Sequence, residues 1–181
     1  MVPLMTSVKV NSTSRSLIPS RDIPQADLLQ DVVACTRIVS RGAVSYQQIA
    51  TLLRKTHRQG RYYRRAAEIL GLIEKCGKNK SRVTSCGSQL LALDAESQRN
   101  ALAERVIELA VFRKVLLALE KSSGSMDKDE LAILLRSETA LATHEMRRRR
   151  LITILSWLSY LRLVRETEDL IFLRDPPKGI S

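Results

Sequence analysis

Apolar positions recur at intervals of three and four through most of this chain, and its interior is poor in glycine and proline. From Ala26 onward, Leu28, Leu29, Val32, Val33, Cys35, Ile38 and Val39 form one face of an amphipathic helix that stops at Gly42. Ser45 followed three residues later by Gln48 is a capping-box pattern, and Ile49, Leu52 and Leu53 supply the buried stripe of a short second helix. A third helix is predicted from about Gln59 to Leu72, with Ala66, Ala67, Ile69 and Leu70 inward. After Gly71 the period changes. Leu72 and Ile73, a polar turn from Cys76 to Lys80, Val83, and then Leu90 to Leu93 read as a strand, a turn and one or two returning strands.

Three helices followed by a hairpin make the pattern of a winged helix-turn-helix, and the plan repeats. The stretch Asp94 to Lys121 holds no Gly or Pro and carries Leu102, Val106, Leu109, Phe112, Val115, Leu116 and Leu119 at helical spacing, as one long helix or two abutting ones. Gly124 then stands 82 positions after Gly42, and Asp127 with Glu130 repeats the cap of Ser45 with Gln48. Leu131, Leu134 and Leu135 stand 82 after Ile49, Leu52 and Leu53, while Leu161, Leu163 and Val164 stand 91 beyond Leu70, Leu72 and Ile73. A second, shorter hairpin follows, from Leu163–Glu166 through a polar turn to Leu170–Leu173. The expected fold is mainly α with small β-hairpins, as two tandem winged helix-turn-helix domains joined by a long helix. Its parts are a disordered N-terminal tail at 1–25, winged-helix domain 1 at 26–93, linker helix and winged-helix domain 2 at 94–175, and a C-terminal tail at 176–181.

Composition narrows the function. Thirty Lys and Arg face nineteen Asp and Glu over 181 residues, a net charge of +11 that favours polyanions. Three widely spaced cysteines make neither a disulfide framework nor a metal half-site and fit a reducing compartment. The Ser- and Arg-containing first 25 residues, read as a tail rather than a transit peptide, lack the apolar core of a signal peptide, and no apolar run approaches a membrane span. A cytoplasmic, nucleoid-associated protein is expected, with no membrane partner. Catalytic features are scarce. The only histidines, His57 and His144, do not have zinc-pair spacing; there is no Gly-rich phosphate loop, no Ser nucleophile between glycines, and no Asp/Glu-x-Lys triplet of the commonest restriction type. No metal, cofactor or catalytic residue is expected, and the chain by itself is read as a binder rather than an enzyme.

Positive charge gathers at the third helices. Ten basic residues lie between Arg54 and Arg82 against Glu68 and Glu74 alone. A third helix in the major groove would place Arg58, Arg61, Arg64 and Arg65 near base edges, where Arg pairs bidentately with guanine and Gln59 with adenine. Lys78, Lys80 and Arg82 would lie on the wing, against phosphates. In the second copy Arg147, Arg148, Arg149 and Arg150 open the third helix behind Thr143, a helix cap. Four consecutive residues turn just over once, so they cannot all face one groove. Tyr62, Tyr63, Trp157 and Tyr160 divide between core and contact, with one tyrosine of the first pair closing the core.

Two stretches carry a resemblance. Gly60-Arg61-Tyr62-Tyr63-Arg64-Arg65-Ala66-Ala67-Glu68-Ile69-Leu70-Gly71-Leu72-Ile73 and Arg147-Arg148-Arg149-Arg150-Leu151-Ile152-Thr153-Ile154-Leu155-Ser156-Trp157-Leu158-Ser159-Tyr160-Leu161 resemble the tandem winged-helix DNA-recognition region of modular type II restriction and nicking endonucleases. The resemblance implies sequence-specific recognition of double-stranded DNA, with contacts near Arg61, Tyr62 and Arg64 and near Arg149, Arg150 and Thr153. Such enzymes carry a cleavage domain on the same chain, and none is evident here. The implied partners are therefore duplex DNA and either a separate nuclease subunit or a second copy of the chain. Three other roles stay open: a stand-alone winged-helix transcriptional regulator, a nuclease with an unrecognised site, and a protein-interaction scaffold.

Overall fold

The computed structural model describes residues 16–42 and 45–174. Helices α1 (Leu29–Ser40), α2 (Tyr46–Leu52) and α3 (His57–Ile69) lead into the antiparallel strands β1 (Ile73–Gly77) and β2 (Lys80–Val83). Helices α4 (Ser85–Ala92) and α5 (Ala95–Glu108) connect to α6 (Ala110–Lys121), β3 (Ser125–Asp127), α7 (Lys128–Glu138), α8 (His144–Tyr160), β4 (Val164–Glu166) and β5 (Leu170–Leu173). The second sheet is antiparallel with β5 between β3 and β4. Over its described residues the protein is thus mainly helical with two small antiparallel sheets.

Local chemistry sets the helix starts. Ser45 with Gln48, Thr56 with Gln59, and Asp127 with Glu130 form reciprocal capping boxes at α2, α3 and α7, and the Thr143 hydroxyl accepts from the Met146 amide at α8. The ends of α3 and α8 match residue for residue at the spacing of 91. Leu70, Gly71 and Leu72 amides donate to the carbonyls of Ala66, Glu68 and Ala67, as Leu161, Arg162 and Leu163 donate to Trp157, Ser159 and Leu158. Gly71 and Arg162 both take positive φ, 68° and 60°, the left-handed turn that closes each helix.

Three sequence expectations change and one alternative is decided. Leu90–Leu93 is not a returning strand: Thr84 caps α4 by accepting from the Gly87 amide, and only Leu90 of the four is buried. A four-residue apolar run has no period that separates strand from helix, so the cap decides. Of the two forms expected for the joining segment, the structure has the two abutting helices, broken where Leu109 turns to extended backbone (φ −71°, ψ 127°). Leu52 is 61% exposed rather than in the buried stripe, because α2 makes barely two turns and Ile49 and Ala50 fill its inner face. Residues 16–25, read as tail, are part of the folded body. The Ile18 amide donates to Glu138 O and its carbonyl accepts from the Ala140 amide, both at 2.9 Å, while Ile18 and Ile23 are buried. The tails expected at 1–15 and 176–181 lie outside the described residues.

The core is continuous across both halves. Trp157 on α8 is fully buried, stacks on Phe112 of α6 at 5.6 Å, and donates its indole N–H to Ala26 O at 2.8 Å, ahead of α1. Helix α5 ties the halves from the other side: Arg105 donates to Leu70 O at the end of α3, while Glu96 pairs with Arg162 beyond α8. No described helix is long and apolar enough to cross a membrane.

Candidate functional site

The basic residues of the first half gather where α3 runs beside the β1–β2 hairpin. The carbonyl of Tyr46 and the Cβ of Ala50 press against Gly60, so α2 and α3 approach closely, and a Cβ on Gly60 would sit 2.5 Å from that carbonyl oxygen. This turns Arg61 outward over α2. Its guanidinium lies 4.4 Å from the Tyr46 ring centroid and donates to the Tyr46 hydroxyl at 2.8 Å. One turn away, Arg58 is exposed and donates to the Tyr62 hydroxyl.

The hairpin is fixed to α3 by Asn79, which sits at the turn with φ 54°. Its Oδ1 accepts from Arg64 at 2.8 Å, and its Nδ2 donates to Gln47 Oε1 at 2.8 Å. Arg64 is consequently a structural residue: it is 8% exposed and also pairs with Glu68 at 3.1 Å. Arg65, exposed at its tip, is held by Glu68, Asp22 and the Arg21 carbonyl. Gln59 is half-buried, and its Oε1 is committed to the cap at Thr56. Arg82 pairs with Glu74 at 2.8 Å on the hairpin. Lys75, Lys78 and Lys80 are exposed and have no ion pair with a described carboxylate.

The arginine block of α8 divides as its spacing requires. Arg147 donates to Leu141 O at 2.7 Å, closing the turn ahead of the helix. Arg148 and Arg149 are exposed and share Glu145, at 3.9 and 2.7 Å. Arg149 in particular holds the Glu145 carboxyl below its ordinary value. Arg150 is buried at 7% exposure, and Thr153 is buried with its hydroxyl donating to Arg149 O. Beyond α8, the β4–β5 hairpin carries Glu166, Glu168 and Asp169, where the β1–β2 hairpin carries Lys78 and Lys80.

Helices α3 and α8 face one another across a cleft of about 450 Å³ lined by Arg58, Tyr62, Arg149, Arg150 and Asp27 among others. Asp27 accepts from the Tyr63 hydroxyl at 2.6 Å; burial, with that carboxylate beside it, raises the Tyr63 phenol well above its usual range, so it stays protonated. Tyr63 is the core member of the tyrosine pair and Tyr62 the half-buried one.

A family model described as a domain of unknown function, DUF7226, matches residues 31–165. The chain belongs to this family. The match runs from α1 into β4, so it contains α3, the β1–β2 hairpin, α8 and both walls of the cleft. No curated protein and no solved structure matches the chain.

Sequence reasoning missed Asn79, Tyr46 and Asp27. An Asn between two lysines is a legible turn signal, since Asn tolerates positive φ. Its side-chain bonds to Arg64 and Gln47 join residues 15 and 32 positions away, and no local pattern carries them.

Proposed function

We propose that this protein binds double-stranded DNA through two winged-helix units, with the first as the principal reader. The supporting geometry is the element order. Helix, strand, helix, helix, strand, strand with the last strand central describes α6–β5, and the first half shares its three helices followed by a two-stranded hairpin, without the first strand among the described residues. On this reading α3 and α8 are the recognition helices and the two hairpins are the wings.

One observation carries the proposal: five solvent-facing cations along α3 and its hairpin, Arg58, Arg61, Lys75, Lys78 and Lys80, have no carboxylate partner among the described residues, whereas Arg65 and Arg82 are paired. A row of unneutralised charge costs self-repulsion, and a polyphosphate relieves it by counterion release. The second unit contributes less. Its wing is acidic, Arg148 and Arg149 are shared with Glu145, and Arg147 is turned to the backbone. In this assignment Arg58 and Arg61 meet the groove, Lys78 and Lys80 meet phosphates, and Arg64 holds the wing in place. The resemblance extends the proposal to a recognition subunit of a restriction or nicking system, with cleavage supplied by another chain.

The test is selection of bound sequences from random duplex DNA by the full chain at two salt concentrations, followed by affinity measurements on the enriched site. A short motif that survives the higher salt is expected. Lys78→Ala with Lys80→Ala should weaken binding to all duplexes alike and lower the slope of log K against log salt by about 2, roughly 0.9 per phosphate contact. Retention that vanishes with salt and enriches no motif overturns sequence-specific recognition.

A further inference from the structure

The cleft between α3 and α8 has a feature that helix packing alone does not need. Arg150 points its side chain into the junction, is more than nine-tenths buried, and leaves its Nε without a hydrogen-bond partner among the described residues. No described carboxylate forms an ion pair with it either. Burial lowers its guanidinium pKa, the sign of a cation held away from water. Native proteins rarely keep a buried charge unpaired, because desolvation is then uncompensated. Asp27 lines the same cleft, accepts the Tyr63 hydroxyl and forms no ion pair with Arg150. Arg58 and Arg149 line the same cleft, the first donating to the Tyr62 hydroxyl and the second paired with Glu145.

We propose that this cleft is a phosphoryl-binding site, in which Arg150 grips the anion from below while Arg58 and Arg149 close on it from α3 and α8. A tetrahedral phosphoryl group offers three or four oxygens to donors arriving from different helices, whereas a carboxylate offers two in one plane. The guanidinium fork of Arg150 supplies the directional part of the contact and the rim arginines supply charge. Two sources carry this chemistry: a free phosphorylated small molecule and a backbone phosphate of a nucleic acid. In either case the anion is held by both halves of the molecule and fixes α3 relative to α8. The site stands independently of the duplex-binding proposal, since its evidence is the unpaired cation and not the basic outer face.

The experiment titrates inorganic phosphate into the full chain at fixed ionic strength and follows Tm through Trp157 fluorescence, with acetate and chloride as matched controls. Phosphate is expected to give a saturable rise of about 2–4 °C. Arg150→Met should abolish the rise without lowering Tm in chloride, because it removes an unpaired charge and keeps the stem's volume. Arg150→Lys should keep a weaker response. Arg58→Gln, at the exposed rim and outside the core, should also weaken it, and it reports on the site even if an Arg150 variant folds poorly. A rise with phosphate alone identifies a free phosphorylated ligand as sufficient. If phosphate is silent but Arg150→Met lowers the salt slope of duplex binding by about 0.9, the phosphate is the nucleic acid's. Silence in both measurements, or a rise with acetate equal to that with phosphate, overturns the proposal. A chain that responds to phosphate yet binds no duplex keeps this site and loses the function proposed above.

Discussion

Arg64 and Arg61 are three positions apart on one helix and have opposite roles, which shows how little residue type alone decides. Arg64 is buried against Glu68 and Asn79, and Arg61 is outside on Tyr46. Arg64→Ala should lower the unfolding free energy by about 2–4 kcal/mol, since it leaves a buried carboxylate and an amide oxygen short of a partner. Arg61→Ala, by contrast, should stay within about 0.5 kcal/mol. Guanidinium denaturation of the two variants checks this contrast, and equal effects would refute the assignment of Arg64 to structure. The cysteines divide in the same way. Cys35 is fully buried, and that burial pushes its thiol up to about 12, whereas Cys76 is exposed on β1. At pH 8, well below the raised value, the thiolate at Cys35 is a negligible fraction, so a thiol reagent should label Cys76 in the native protein and Cys35 only on unfolding. Mass spectrometry of the labelled chain reads the order.

At the scale of elements, the caps were legible and the interlocking was not. Ser45 with Gln48 and Asp127 with Glu130 announce α2 and α7 because a capping box is made within four residues. The repeat at spacing 91 appears in the backbone as identical helix closures, with Arg162 in the left-handed position that Gly71 occupies. Leu90–Leu93 misled because an apolar run lacks a period, and Leu52 because a two-turn helix buries only a narrow face. The close approach of α2 and α3 at Gly60 is likewise a tertiary fact. Gly60→Ala should destabilise the protein by about 1–3 kcal/mol, despite the better helix propensity of Ala, because its Cβ would meet the Tyr46 carbonyl and the Ala50 side chain. A gain in Tm on this substitution would show that the two helices can part without cost.

The whole molecule behaves as one body because its halves share a core. Trp157 reaches from α8 to Ala26, α5 reaches from Leu70 to Arg162, and residues 16–25 link α3 to the end of α7. Cys35 in the first half and Trp157 in the second should therefore report a single unfolding transition, with thiol exposure and tryptophan fluorescence coinciding across a denaturant series. Separated midpoints would mean that the halves unfold independently. The sequence by itself determined most of the helices, the caps of α2, α7 and α8, the two hairpins and the excess of positive charge, since these follow from periodicity, capping and composition within a few residues of each other. Only the tertiary structure decided which arginines are free. Arg64 and Arg150 were turned inward, Arg65 and Arg147 were taken up by backbone carbonyls, and Arg58, Arg61, Lys78 and Lys80 were left facing solvent. The physical reason is that a long cation takes its role from whichever carboxylate, carbonyl or cleft the fold brings to it, and those partners lie far along the chain.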